Sequence, residues 1–370
     1  MLNNEEPLYL QVYNDLLKDI ESGKFISGGT IPSEKELTKQ FEVSRITVKK
    51  ALEKLALDGY ISRMRGKGTF VNQNAQKEAN KNLHIMKGKF IGVIFNNITS
   101  AYGIGIFNGI ETASLKNGYF IIPRRSLDII TEEDRAIDEL LELGVQGLII
   151  EPVHGVYYSS KILRLILDGF PIVFIDRELR GVQSSVVCSD NVKAGECAMD
   201  YLLNLGHRKT CIITSLPKDT SSIDDRLKGV ERSYAKHNII PDKTLWIESI
   251  ISNKDKIEEQ SEFIKNFLLE NKNITSVFAL EYDLGILALN AITSIGKNVP
   301  NDISIISFDG PSNPNNCIDN YGITHVRQQQ SKMGDLATEL LINKINGANE
   351  NKKILLDTEI IEGFSTKKLV

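Results

Sequence analysis

The chain has 370 residues, 41% of them hydrophobic, a formal net charge of −4 and four cysteines. That length predicts more than one domain, with apolar content ample for buried cores. No apolar run reaches the ~20 residues that a membrane helix needs, and the opening MLNNEEPLYL lacks the basic-then-apolar pattern of a signal peptide. A cytoplasmic protein without a membrane segment is expected. Cys188, Cys197, Cys211 and Cys317 show no CxxC or CxxxC spacing and three of them sit in apolar runs, so they read as small core residues; no metal site and no cofactor is expected.

Along the chain, the first informative stretch is residues 31 to 71. Ser33 stands three residues ahead of Glu36 and just before Leu37 and Phe41, so its hydroxyl can cap a helix start while the carboxylate reaches back to the cap amide. Val43 closes a turn and Ser44 is suited to cap a second helix, whose buried stripe is Val48, Ala51, Leu52 and Leu55. Arg45 and Lys49 are left together on the outer side. A helix of this size fits the major groove, where Arg can fork onto a guanine edge and Lys can meet a phosphate. Then 60–64 and 69–71 read as two short strands around the tip Arg65-Gly66-Lys67-Gly68, where glycines allow close approach to a groove and Arg65 and Lys67 supply charge. Residues 44 to 71 carry seven basic side chains against two acidic ones, a local excess of positive charge in a chain that is negative as a whole. Each piece alone is also compatible with an ordinary amphipathic helix or a solvated basic hairpin; their order and spacing favour DNA.

Three segments here, Gly29-Thr30-Ile31-Pro32-Ser33-Glu34-Lys35-Glu36-Leu37, the second helix from Val43-Ser44-Arg45 through Thr47-Val48-Lys49 to Ala51-Leu52, and Gly66-Lys67-Gly68-Thr69-Phe70-Val71, resemble the winged helix-turn-helix of GntR-type transcription regulators, through essentially all of residues 7 to 71. The resemblance implies contacts to double-stranded operator DNA from Lys35, Ser44, Arg45, Thr47 and Lys49, with Arg65 and Gly66 in the wing; Lys67 joins them by its charge. Lys35 and Lys49 stand where many members have Arg, and an ammonium cannot fork onto a base as a guanidinium does, so phosphate contact is the role assigned to both.

Residues 72 to 82, NQNAQKEANKN, are polar and mark a linker. The expected division is a DNA-binding domain over 1–73, a linker over 74–88 and an effector and dimerisation domain over 89–370. From residue 90, strand-like runs at 90–95, 119–123, 147–150, 172–175, 185–188, 210–214, 245–251, 277–280 and 303–308 alternate with helix-like ones, and helices fill the gaps to 117, 143 and 168. That rhythm argues for parallel sheets covered by helices; no internal repeat is visible. Ligands in such folds sit beyond the carboxyl ends of the strands.

Polar residues recur at those ends: Asn96 and Asn97, Arg124 and Arg125, Glu151, Asp176 and Arg177, Asp190 and Asn191, and Asp309. Carboxylates, amides and guanidinium groups pair well with vicinal hydroxyls, which points to a sugar, although such residues also cap helices and turns. Glu151, Asp176 and Asp309 favour a neutral sugar over a phosphorylated one. Trp246 reads as core, Gly103-Ile104-Gly105 as a packing feature and His207 as structural.

Residues 88 to 370 in turn resemble the periplasmic-binding-protein-like effector domain of LacI/GalR regulators. The resemblance rests on Leu205-Gly206-His207-Arg208-Lys209, Asp225-Arg226-Leu227-Lys228-Gly229, the run from Asn298-Val299-Pro300 through Asp302-Ile303-Ser304-Ile305-Ile306-Ser307-Phe308-Asp309, and Val326-Arg327-Gln328 leading to Met333-Gly334. It implies effector contacts from Asn97, Glu151, Asp176, Arg226, Asp309 and Gln328. Arg124 is added by its place after a strand. Glu281-Tyr282 replaces the usual Asn-Asp, which makes Glu281 a candidate with altered hydroxyl recognition. The two halves together are most similar to the arabinose-repressor group. They imply a two-lobed α/β sensor joined to an N-terminal winged helix-turn-helix, acting as a homodimeric repressor released from a palindromic operator by a small neutral sugar. Ligand-dependent activation is the alternative on the same residues. A sugar-transport receptor is disfavoured by the attached basic reader, and an enzyme by the lack of HExxH, GxSxG, Walker or complete dinucleotide-binding motifs.

Overall fold

A computed structural model of the chain describes residues 8–64, 68–72, 89–96, 101–155, 158–216, 220–251, 257–311 and 322–369. It divides into two compact units, Met1–Gly88 and Lys89–Val370. The first unit has helices α1 (Leu8–Glu21), α2 (Glu34–Phe41) and α3 (Arg45–Leu57), then the antiparallel hairpin β1 (Ile61–Met64) and β2 (Gly68–Val71). Its starts are chemically specified. Ser33 and Glu36 form a full capping box at α2: the Ser33 amide donates to the Glu36 carboxylate at 2.7 Å, and these bonds hold that carboxyl below its usual range. At α3, the Ser44 hydroxyl accepts from the Thr47 amide at 3.2 Å. Val12, Leu16, Ile20, Leu37, Val48, Ala51, Leu52 and Leu55 bury into one core with Ile61 and Val71 of the hairpin, as the spacing of the α3 stripe requires. Between α2 and α3, Glu42 takes φ 56, the left-handed turn that redirects the chain.

The second unit holds two six-stranded sheets. Sheet one contains β3 (Lys89–Phe95), β4 (Tyr119–Arg125), β5 (Leu148–Ile150), β6 (Ile172–Ile175), β7 (Ser185–Ser189) and β13 (Lys353–Leu356), in the order β13-β7-β6-β5-β3-β4 and wholly parallel. Sheet two contains β8 (Thr210–Leu216), β9 (Trp246–Ile251), β10 (Ser276–Ala279), β11 (Ser304–Phe308), β12 (Thr324–Arg327) and β14 (Glu359–Ile361), in the order β14-β12-β11-β10-β8-β9, with only β14 antiparallel to its neighbour. Central strands such as β5, β6 and β11 are buried at every position, which is why they read as continuous apolar runs: helices cover both faces of the sheet.

The two orders correspond strand for strand, so the fold repeats although the sequence shows no repeat. Three further strands, β12, β13 and β14, were not expected from the sequence. Their segments are only three or four residues long, β12 is mostly polar, and β13 and β14 have no helix between them to set the alternation. β4 also runs two residues past the expected end, to Arg125.

The chain passes between the lobes three times, after β7, after β12 and between β13 and β14. Side chains tie these crossings together: the Ser189 hydroxyl donates to the Gln328 carbonyl at 2.6 Å, Gln329 donates to the Asp357 carbonyl at 2.8 Å and Lys193 pairs with Asp357 at 2.7 Å. Glycines set the closest helix approaches. A Cβ at Gly109 or Gly334 would lie 2.0 or 2.2 Å from a carbonyl oxygen of the facing helix, where α4 (Ala101–Lys116) crosses α11 (Gln330–Ile345). At Gly105 it would lie 2.8 Å from Gln330; the Gly103-Ile104-Gly105 segment is the packing feature expected of it.

The other side residues also find places. His207 is buried, between the Thr275 hydroxyl at 3.0 Å and the Lys367 carbonyl at 3.1 Å. Trp246 packs against two cores of sheet two. Cys188 and Cys211 are buried but Cys197 is exposed on α7 (Asn191–Asn204), a correction to its reading as core: it lies on the outer side of a helix whose inner side is Ala194, Ala198 and Met199. Cys317 lies outside the described residues.

Candidate functional site

Two surfaces carry the candidate residues. On the first unit, α3 turns Val48, Ala51, Leu52 and Leu55 inward, so Arg45 and Lys49 must point outward. Arg45 is 81% exposed, 3.2 Å from Glu34, which also lies 3.5 Å from Arg63. Lys49 is exposed and 3.7 Å from Glu53; Lys35 is exposed. Ser44 and Thr47 bond to each other through their hydroxyls at 2.8 Å while Ser44 caps the helix. These five candidates therefore occupy the starts of α2 and α3. Lys50 and Lys54 are directed instead onto the rings of Tyr9 and Tyr13 of α1, at 4.0 and 5.0 Å, so the basic excess read from the sequence splits between two faces. Ile46, 79% exposed beside Arg45, was missed by sequence reasoning; an apolar side chain at a helix start is a fit for a thymine methyl in the major groove. Arg65, Gly66 and Lys67 lie outside the described residues; the strands that hold them pair Met64 with Gly68.

On the second unit, the corresponding strands of the two sheets end in acids. Glu151 follows β5 and Glu281 follows the end of β10; Asp176 follows β6 and Asp309 follows β11. Asp176 and Asp309 both adopt left-handed backbone, φ 65 and 57, a conformation that costs about 1 kcal/mol or more in a residue with a side chain and recurs where a group must be aimed. Around Asp176, Glu151 is buried, accepts from the Asn96 amide at 3.1 Å and lies 3.5 Å from Arg177. Burial pushes its carboxyl up to about 7 against the pull of Arg177. The Tyr102 hydroxyl donates to Asp176, and burial followed by the neighbouring carboxylates holds that phenol well above its ordinary value.

In the other lobe, Arg226 is 5% exposed on α8 (Ser221–Lys236). It donates to Asn191 at 2.9 Å and to the Leu280 carbonyl at 2.7 Å, and lies 3.8 Å above the Phe308 ring. Its place is set by another glycine crossing: Cβ atoms at Gly195 and Gly229 would stand 2.2 and 2.1 Å from the carbonyls of Arg226 and Val192, so α7 and α8 touch backbone to backbone. Asp309 accepts from Gln328 at 3.1 Å, and burial raises its carboxyl to about 6 although Arg226 pulls it down. Glu281 accepts from Ser215 at 2.9 Å. Asp176 lines one recess with Asn191, the residue that accepts from Arg226, so polar groups of both lobes meet there.

Most of the expected effector residues are thus brought together: Glu151 and Asp176 from one lobe, and Arg226, Asp309, Gln328 and Glu281 from the other. Arg124 is not among them. It belongs to β4 itself and pairs with Glu139 of α5 (Ile130–Glu142) at 2.5 Å, half-exposed, because the strand outlasts the run of apolar residues that suggested its end. Asn97 lies outside the described residues. Tyr102 was missed, and nothing in its local pattern distinguishes it from a helix-start packing residue. The mouth beside this cluster is lined from one lobe by His154, Tyr158 and Arg177 and from the other by Thr220, Ser221 and Asp224, around about 110 Å³ of space. Across it Arg180 bonds to Asp224 at 2.7 Å and to Asp225 at 3.0 Å, and the Glu178 amide donates to Ser221 at 3.1 Å.

A winged helix-turn-helix unit followed by a two-lobed α/β unit with a polar cleft defines a ligand-responsive transcription regulator. Comparison with known families agrees: residues 8–71 match bacterial regulatory proteins of the gntR family and residues 199–366 match the periplasmic binding protein-like domain. The chain is 29% identical over 375 residues to an arabinose metabolism transcriptional repressor of Geobacillus stearothermophilus, covering 98% of both, and 25% identical over 373 residues to one of Halalkalibacterium halodurans, covering 98% of this chain and 97% of that one. Among solved structures, transcription regulator CcpA of Lactococcus lactis aligns with a TM-score of 0.66 at 25% identity, over 76% of this chain and 100% of the other. The chain thus carries a gntR-type helix-turn-helix domain followed by a periplasmic-binding-protein-like domain. These relatives are regulators of transcription, not enzymes, and among the described residues no helix is long and apolar enough to cross a membrane.

Proposed function

We propose that this chain is a sugar-responsive repressor that binds a palindromic operator as a homodimer and is released by a small neutral sugar. The observation that carries the sugar assignment is the set Glu151, Asp176, Asp309 and Gln328 at the strand ends of two lobes, with Arg226 of α8 beside them, all but Asp309 buried. Four carboxylates with Glu281 outnumber the two guanidinium groups, and Arg226 and Arg177 already have internal partners. A phosphate would meet net negative charge, whereas hydroxyl groups can donate to each acceptor. Arabinose is the first compound to try, since two relatives along the whole chain are repressors of arabinose metabolism. Operator recognition falls to Arg45, with Ser44, Thr47, Lys35 and Lys49 on phosphates and neighbouring edges and Arg65, Gly66 and Lys67 in the wing.

Binding that favours one arrangement of the lobes shifts the population toward it, and in a dimer this changes the spacing of two readers whose half-sites lie about one helical turn apart. The test is the melting temperature of the full chain against L-arabinose, other pentoses, hexoses, deoxysugars and their phosphates, since a ligand at about 100 times its Kd adds ~2.7 kcal/mol, followed by operator release with the compound that shifts it. A shift with a neutral sugar and loss of operator binding is expected. A shift only with phosphorylated sugars overturns neutrality, and tighter DNA binding with the sugar overturns release.

A further inference from the structure

We infer that Glu133 and Asp128 are positioning residues for the effector cleft, holding the backbone of 152–154 in the one place that aims Arg177 and Asn96 at Glu151. The inference rests on the reading of this cleft as a sugar site. Two consecutive amides of the segment after β5 are each caught by a carboxylate: Val153 donates to Glu133 at 3.1 Å and His154 to Asp128 at 2.9 Å. Asp128 also lies 2.6 Å from Nδ1 of His154, an ion pair whenever that ring is protonated. The carbonyl just before these amides, that of Pro152, then accepts from Arg177 at 3.0 Å and from the Asn96 side chain at 3.4 Å. Arg177 and Asn96 are the groups that touch Glu151. The order of contacts therefore runs from the start of α5, through a loop backbone, to the cleft acid.

Two features show that this arrangement is held against a cost. Glu133 is 2% exposed in the first turn of α5, and burial pushes its carboxyl up to about 7, with Asp134 and Asp128 adding to the rise. A carboxylate is expensive to bury, and a helix start offsets only part of that cost. Leu127 and Asp128 both take left-handed backbone, φ 53 and 61, and Leu127 is left half-exposed; two such residues in succession persist only where their surroundings fix them. Both departures converge on the same three-residue loop.

The experiment compares the wild-type full chain with Glu133→Ala and Glu133→Gln, by calorimetric titration with L-arabinose and by amide hydrogen exchange of the free proteins. Gln keeps an oxygen for the Val153 amide and removes the charge. Glu133→Ala is expected to weaken sugar binding at least 10-fold and to speed exchange at Val153 and His154 at least 10-fold, while Glu133→Gln restores both to within about 3-fold of wild type. Loss of melting temperature in Glu133→Ala with sugar affinity and local exchange unchanged overturns the positioning role. If the wild type takes up no L-arabinose, the choice of sugar fails, and the exchange rates alone decide: faster at 153 and 154 with rescue by Gln upholds the role, unchanged rates overturn it.

Discussion

The two units treat charge in opposite ways. On the reading helix the candidate groups stand in water: Arg45 is 81% exposed and its partner Glu34 is a surface neighbour. In the cleft they are withdrawn from it, with Arg226 at 5% and Asp309 displaced to about 6 by burial. A surface that meets a polyanion gains from charges that stay hydrated until the phosphates arrive, because the long-range field brings the partner in. The cleft, proposed as a site for an uncharged polyol, would have no field to use. It must hold short, directed hydrogen bonds in place beforehand, and the low dielectric that strengthens them also makes every unmatched group costly.

The contrast can be broken most severely at Arg226. Arg226→Met leaves Asn191 and the Leu280 carbonyl without their donor and removes the cation that pulls the Asp309 carboxyl down, so we expect the second unit to lose about 3 kcal/mol and all sugar response, read from thermal unfolding and titration calorimetry, with operator binding by the first unit retained. The next largest effect is a pH dependence. A buried carboxyl raised from 4.5 to about 7 binds its proton more tightly in the folded than in the unfolded state, so its contribution to stability falls as pH rises from about 4.5 to 7 and stays low above it. Glu133→Gln should therefore be near wild type at pH 5 and more stable by about 2–3 kcal/mol at pH 8. The comparison of variants isolates this group from His207 and His325, whose lowered values work in the opposite direction.

On the hydrated side, Arg45→Ala should cost about 1–3 kcal/mol on operator and little on random DNA, whereas Lys49→Ala should weaken both alike and lower the salt slope by about one. Equal losses on the two DNAs would remove Arg45 from base reading. The smallest expected effect is at Arg180, exposed enough to be screened: Arg180→Ala should weaken sugar binding about 3-fold and make the remaining affinity less sensitive to salt, since its bonds to Asp224 and Asp225 span the lobes. Salt sensitivity that survives the substitution would place it elsewhere.

Much of this was legible from residue order, but unevenly. The capping box at Ser33 and Glu36 and the cap at Ser44 are local chemistry, and the structure shows both. Buried parallel strands announce themselves as apolar runs, and all nine expected strands are present. The acids at the strand ends were readable because parallel topology places them. Arg124 was misplaced because β4 continues through polar residues at an edge, where one side of the strand has no neighbour to demand apolar contacts. Arg226 and Gln328 came only from resemblance: one is on a helix and the other follows an unexpected strand. Glu133 and Asp128 look like any acidic residues near a helix start, and only their partners, some 20 and 26 residues away in sequence, distinguish them.

The three crossings between the lobes, bound side by side through Ser189, Gln328, Gln329, Lys193 and Asp357, have a mechanical consequence. A single strand joining two bodies lets them twist, tilt and bend about it, whereas three strands laced into a ribbon resist twist and leave bending as the soft motion. On the proposed reading, sugar binding in the cleft would then have few ways to be dissipated, and the work it does on the lobes would emerge as one rotation with a fixed axis.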